Sequence, residues 1–220
     1  MILIATTLAY LIGSIPSGFL IAKFYANVDI RKIGSGNIGA SNIGKIFGQK
    51  GFILVSFFDG ILKGTVPIIT LKILEHDIAT QIIVSIFLVI GHNWSIFLKL
   101  KGGRGLSTAM GTFLGFWLVP QMISISVIAF LWGWYFRRNI APWIMLSFII
   151  AAILTIYNEA PLEFQIQTIS IAIIIIIKRL VANQEPFPIN QSKIKTLALR
   201  LILDRDISDH DQWVSVVGIK

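Results

Sequence analysis

Long apolar blocks recur along this 220-residue chain and leave it few ways to fold. An α-helix needs roughly 20 apolar residues to cross about 30 Å of hydrocarbon, because each residue rises about 1.5 Å. The blocks fall near residues 1–24, 52–74, 78–98, 106–118, 121–136, 141–157 and 166–177. Charged residues make up 14% of the chain and hydrophobic residues 55%. A soluble domain carries about 25% charge, so a water-soluble globule is excluded. Disorder is excluded too, since disordered chains are poor in apolar residues. The fold class predicted is an all-α membrane protein, a bundle of seven transmembrane helices.

The charge between the blocks tests that count. The first loop carries Arg31, Lys32, Lys45 and Lys50 against Asp29, and the second carries Glu75 and Asp77. The third has Lys99, Lys101 and Arg104, the fourth none, the fifth Arg137 and Arg138. Glu159 and Glu163 mark the sixth, and Lys178 and Arg179 follow the last block. Basic loops alternate with neutral or acidic ones. By the positive-inside rule the N-terminus is predicted outside and the C-terminus cytoplasmic. The net charge of +8 is thereby assigned to inner loops and anionic headgroups, and no soluble basic module points to nucleic acid. No Lys or Arg precedes Lys23, so the first block reads as a retained helix, interrupted by Gly13, Pro16 and Gly18.

Residues 1–189 are read as the bundle and 190–220 as a cytoplasmic tail. In that tail Lys193, Lys195, Arg200 and Arg205 alternate with Leu197, Leu199, Leu201 and Leu203, a pattern for an amphipathic helix on the inner membrane surface. Asp204, Asp206, Asp209 and Asp211 run against a simple lipid-binding role.

Chemistry-bearing residues cluster on the predicted inner side. Residues 33–45 read Ile-Gly-Ser-Gly-Asn-Ile-Gly-Ala-Ser-Asn-Ile-Gly-Lys, mixing Ser35, Gly36, Asn37, Asn42 and Lys45. Glycines let backbone N–H groups approach a phosphate closely, and a following helix start adds its positive dipole. The spacing is wrong for a Walker loop. Lys101-Gly102-Gly103-Arg104-Gly105 places two cations on a flexible backbone before the next helix, and Arg presents a planar fork to phosphate oxygens. Two such loops on one face favour a single shared anion site. Asp59 and Lys63 stand four residues apart in a span, on one helix face, either as a salt bridge or as a site lining. His92, at the inner end of the third span, is a candidate base or phosphate donor. The chain has no cysteine, and no His/Asp/Glu cluster has metal-ligand spacing, so neither thiolate chemistry nor a metal is expected.

Taken together, Ser35-Gly-Asn-Ile-Gly-Ala-Ser-Asn42, Asp59-Gly-Ile-Leu-Lys63-Gly, Gly91-His92 with Lys101-Gly-Gly-Arg104-Gly, and Gly13-Ser-Ile-Pro-Ser-Gly18 resemble the bacterial acyl-phosphate:glycerol-3-phosphate acyltransferases. The resemblance covers most of residues 1–115. It implies seven transmembrane helices in the bacterial inner membrane and no cofactor. It implies transfer of a fatty acyl group from acyl phosphate to the sn-1 hydroxyl of glycerol 3-phosphate, giving lysophosphatidic acid for phospholipid synthesis. Expected partners are those two substrates and membrane lipids, with the chain acting as a monomer. By resemblance Ser35 is the motif-one serine. Lys45 stands where the family usually has arginine and Arg104 where it usually has lysine. With the residue reading above, Ser35 and His92 become the catalytic candidates. Gly36, Asn37, Asn42, Lys45, Lys101, Gly102, Gly103 and Arg104 become the substrate-binding ones, and Asp59, Lys63 and Glu185 line or brace the site. Lys178-Arg179-Leu180 and Glu185 fit the second half of the family's third motif, whereas its histidine and asparagine fall on Ile173 and Ile176. Phe136-Arg137-Arg138 replaces the usual Thr-Arg-Tyr. Two alternatives therefore stay open: a non-catalytic homologue that binds phosphorylated glycerol or lipid headgroups, and an anion transporter built on Asp59, Lys63 and the breaks of the first span.

Overall fold

The computed structural model describes residues 2–135, 140–184, 186–189 and 191–209. The described residues are helical with irregular connections and no strand. In chain order the helices are α1 (Ile2–Ser14), α2 (Ser17–Ala26), α3 (Ala40–Ser56), α4 (Val66–Ile73), α5 (Ile78–Asn93), α6 (Leu106–Gly115), α7 (Val119–Tyr135), α8 (Ala141–Tyr157), α9 (Leu162–Val181) and α10 (Lys193–Leu203). A wider, π-type stretch, Phe57–Thr65, joins α3 to α4.

Four helical runs are long and apolar enough to cross a bilayer: Ile2–Ala26, Ala40–Ile73, Ile78–Leu98 and Leu162–Val181. Two shorter apolar stretches, Val119–Ala129 and Ala141–Tyr157, accompany them. Large apolar side chains such as Leu3, Phe24, Ile153 and Tyr157 face outward. Outward apolar side chains on helices whose backbone groups bond within the helix suit lipid as the solvent. The protein is a multi-pass membrane protein.

Three boundaries differ from the sequence reading, each for a local reason. The glycine-rich stretch read as loop through Lys50 is helical from Ala40 onward. Ile43 and Phe47, at i and i+4, are drawn against the packed side of α2, while Gly44 and Gly48 dilute the pattern. Gly48 takes a left-handed φ of 70° and kinks the helix there. The block read at 106–118 holds only the 10-residue α6, about 15 Å of helix. In contrast, α9 begins four residues before the block read from residue 166, because Glu163 and Gln165 break the apolar pattern of its first turn.

Close helix contacts come from glycine. In α1, Gly13 lies against the Leu88 backbone of α5, and Gly91 of α5 lies against Tyr10. Ser95 Oγ donates to Ser14 O at 2.5 Å across the same seam. Gly60 and Gly64, small residues at spacing four, face Ser107, Thr108 and Gly111 of α6 in a close helix–helix contact. Leu88, Val89, Phe113, Phe148, Ile171 and Ile175 fill the centre. Polar side chains inside it bond one another: Gln121 Nε2 to Thr155 Oγ1 at 3.0 Å, and Gln167 Nε2 to Ser85 Oγ at 3.1 Å. The helix expected in the tail is present as α10. It is seated on α8 and α9, with Thr196 and Arg200 buried.

Candidate active site at the glycine-rich loops

The first loop is shaped by one buried amide. Asn42, in the first turn of α3, is 2% exposed. Its Oδ1 accepts from Ser35 N at 3.1 Å, and its Nδ2 donates to Ile33 O and Asn37 O, both at 2.9 Å. Both amide protons are thus spent on the chain itself. Asn37 Oδ1 in turn accepts from Gly39 N at 3.3 Å, and Ser35 Oγ accepts from Asn37 N at 3.4 Å. Gly34 and Gly36 sit at φ 59° and 68°, left-handed values that favour glycine. The result is a tight coil that presents Ser35 and Asn37 just before the N-terminus of α3.

The second loop folds back on the end of α5. Gly103 N donates to His92 O at 3.0 Å and Gly102 N to Asn93 O at 3.2 Å. A Cβ on either glycine would collide with the His92 or Asn93 groups beneath. Lys101, exposed, and Arg104, half-buried, flank these two buried glycines.

The two loops meet. A cavity of about 650 Å³ is lined by Ser35, Gly36 and Asn37 from the first and by Lys101 and Arg104 from the second. Asp29, Arg31, Lys32, Asn183 and, with Ala182, residues 186–189 and 204–207 complete its wall. Asp29 holds Arg31 through a two-pronged pair at 2.9 and 2.7 Å. That contact keeps the Asp29 carboxyl below the usual carboxylate range and raises the Arg31 guanidinium. Among the described residues, no carboxylate lies within ion-pair distance of Lys32 or Lys101. The cavity therefore carries uncompensated positive charge beside loop N–H groups, a setting that favours a phosphorylated ligand.

Other candidates lie elsewhere. Lys45 is exposed on α3, outside the cavity lining. Asn42, Gly102 and Gly103 form the loops from beneath. His92 is buried and does not line the cavity. Its Nδ1 stands 3.7 Å from Asp59 Oδ1. Asp59 also pairs with Lys63 Nζ at 2.5 Å and bonds Ser17 Oγ. Lys63 further donates to Ser17 Oγ at 3.1 Å and to Ile15 O, the carbonyl exposed where Pro16 breaks α1 from α2. Asp59 and Lys63 thus neutralise each other in a closed polar knot. Glu185, Arg137 and Arg138 lie outside the described residues.

Sequence reasoning missed Asn183 and residues 186–189 and 204–207 as wall. Asn183 adopts a left-handed conformation just past α9 and accepts from Lys178 Nζ at 2.6 Å. Residues 204–207 reach the cavity across about a hundred positions of sequence, a closure no local pattern signals.

A family model described as glycerol-3-phosphate acyltransferase matches residues 3–185. The chain belongs to that family. Glycerol-3-phosphate acyltransferase 4 of Dehalococcoides mccartyi is 33% identical, over 97% of this chain and 93% of its own. The glycerol-3-phosphate acyltransferase of Macrococcus caseolyticus is 35% identical, over 81% of this chain and 93% of its own. Two crystal structures of PlsY (YgiH), an integral membrane glycerol 3-phosphate acyltransferase, are similar in fold. Its lysophosphatidic acid form gives a TM-score of 0.71 at 29% identity, covering 81% of this chain and 87% of that one. Its glycerol 3-phosphate form gives 0.67 at 31% identity, covering 84% and 94%. This glycerol-3-phosphate acyltransferase family member therefore shares both sequence and helical architecture with characterised relatives.

Proposed function

We propose that the chain transfers a fatty acyl group from acyl phosphate to the sn-1 hydroxyl of glycerol 3-phosphate, releasing lysophosphatidic acid and inorganic phosphate. The observation that carries this is the convergence of both glycine-rich loops, with Lys101 and Arg104, on one cavity. Family membership and the glycerol 3-phosphate form of PlsY support the acceptor.

In the reaction the hydroxyl oxygen attacks the acyl carbonyl carbon, a new C–O ester bond forms, and the C–O bond to phosphate breaks. Phosphate leaves with the electron pair, and a phosphate oxygen takes up the hydroxyl proton. Because the leaving group is good, the protein's part is to hold two anions together. Arg104, Lys101, Lys32 and loop N–H groups offset their mutual repulsion. Holding reactants at attack distance is worth up to about 7–11 kcal/mol. Ser35 Oγ orients the attacking hydroxyl. Lys45 steers anions from the exposed face of α3, while Asn42, Gly102 and Gly103 shape the loops. His92 supports Gly103 from beneath, and the Asp59–Lys63 pair anchors α2 against the π-type turn.

The same reading takes the chain as seven membrane crossings, with the N-terminus outside and both loops on the cytoplasmic face of a bacterial inner membrane. It acts as a monomer among membrane lipids, residues 1–189 forming the bundle and 190–220 a cytoplasmic segment. The alternating loop charge supports that orientation.

A second reading, a binding homologue without turnover, is favoured by the apolar Ile173 and Ile176. Ile173 is 50% exposed on the outer side of α9, and neither lines the cavity. Purified protein given acyl phosphate and glycerol 3-phosphate separates the two. The main reading expects lysophosphatidic acid, whereas bound glycerol 3-phosphate with no product selects the binding homologue.

A further inference from the structure

The family match ends at residue 185, yet part of the cavity wall comes from residues 204–207. That segment is fixed to the bundle. Arg179, 3% exposed, donates to Leu201 O at 3.0 Å and to Ala141 O at 2.7 Å. Arg200, 2% exposed, donates to Leu180 O at 3.2 Å and holds Asp206 at 2.6 and 3.0 Å. Buried guanidinium groups demand hydrogen bonds, and here their partners are the carbonyls and carboxylate that join α8, α9 and α10.

This docking sets Asp204 beside Arg104. Asp204 ends α10 in a left-handed conformation, φ 55°, with its N–H on Arg200 O. Its two carboxylate oxygens lie 2.8 and 2.9 Å from Arg104 Nε. Arg104 Nη1 is buried and has no hydrogen-bond partner among the described residues. A guanidinium holds its five donors in one plane. A carboxylate on Nε fixes that plane while leaving the Nη edge unspent.

We propose that Asp204 is a positioning residue for Arg104, fixing the guanidinium so that Nη2, the donor not sealed inside the protein, meets the phosphate oxygens of a substrate. Residues 193–207 then form part of the phosphate site. This rests on the reading of Arg104 as a phosphate ligand. The opposite role, a carboxylate competing with substrate for Arg104, predicts the opposite sign on removal.

The test uses the full-length protein in detergent. Equilibrium Kd values for glycerol 3-phosphate and for a non-transferable acyl phosphate analogue are measured on wild type, D204N, D204E, R104Q and the double variant R104Q/D204N. Asn is isosteric and tolerates the left-handed backbone, so D204N leaves the chain path intact. For whichever ligand R104Q weakens, D204N is expected to weaken binding about five- to thirty-fold, less than the roughly ten- to 150-fold of a lost charge-assisted hydrogen bond because the guanidinium itself remains. D204E restores most of the loss, and D204N adds nothing in the R104Q background. Tighter binding by D204N, unchanged binding, or additive losses overturns the proposal, as does absence of phosphate binding by wild type. If D204N does not accumulate, D206N serves instead. It loosens the same segment through Arg200 and is expected to weaken the same ligand, and unchanged affinity overturns the proposal. Turnover by wild type is read separately and judges acyl transfer itself, whatever the Kd ratios show.

Discussion

Replacing Asn42 separates an amide that builds the loop from one that touches substrate. Its side chain makes three hydrogen bonds at 2.9–3.1 Å to the chain of residues 33–37, in a nearly dry setting. Net values of about 0.5–1.5 kcal/mol per bond put Asn42→Ala at roughly 2–4 kcal/mol. For a chain of this size that is a fall in Tm of roughly 5–15 °C. Asn42→Asp is the sharper variant. It keeps the volume and the acceptor for Ser35 N but sets a carboxylate oxygen against two carbonyl oxygens where Nδ2 had donated. The Asp variant is therefore expected to be at least as damaging as Ala. The assay is thermal unfolding in detergent beside steady-state kinetics, with Tm falling and KM for the phosphorylated substrates rising together. An Asp variant of wild-type stability refutes the hydrogen-bond assignment. A raised KM at unchanged Tm refutes the structural role and makes Asn42 a substrate ligand.

Three further outcomes test the buried contacts and the backbone. Lys63→Met leaves Asp59 buried without its partner and is expected to cost about 3–5 kcal/mol by chemical denaturation, while Asp59→Asn with Lys63→Met recovers more than half. Gly111→Ala drives a Cβ into the Gly60 backbone and is expected to cost about 1–3 kcal/mol. Gly48→Ala, with open space around its Cβ but φ at 70° and ψ at −169°, is expected to cost about 1–3 kcal/mol from backbone strain alone.

Much of this architecture was legible in the sequence because the bilayer imposes few choices. Apolar block length located four of the long helical runs. The spacings Gly60–Gly64 and Gly111–Gly115 suit close helix approach, but which glycines meet is seen only in the fold, where Gly111 lies against Gly60. Ser35, Gly36, Asn37, Lys101 and Arg104 were readable as one group because loop charge put both glycine loops on one face, and they do share a cavity. Legibility failed where a residue's work depends on how the chain folds back onto it. Asn42 has the look of a ligand, yet its partners are the carbonyls of its own loop. His92 has the look of a base, but it sits under Gly103 beside a salt bridge. Asp204 looked like charge opposing a lipid-binding tail. Only the docking of α10 through Arg179 and Arg200 brings it to Arg104. The Arg104–Asp204 contact spans a hundred residues, and helical periodicity carries no record of it.

The most direct test of the central claim is the ratio of kcat/KM for glycerol 3-phosphate, with acyl phosphate as donor, between wild type and Arg104→Ala. One cavity holding phosphate through Arg104 predicts a fall of roughly ten- to 150-fold, the scale of a lost charge-assisted contact. Unchanged kcat/KM with normal KM for both substrates contradicts it and moves the phosphate site away from the cavity where the two glycine loops meet.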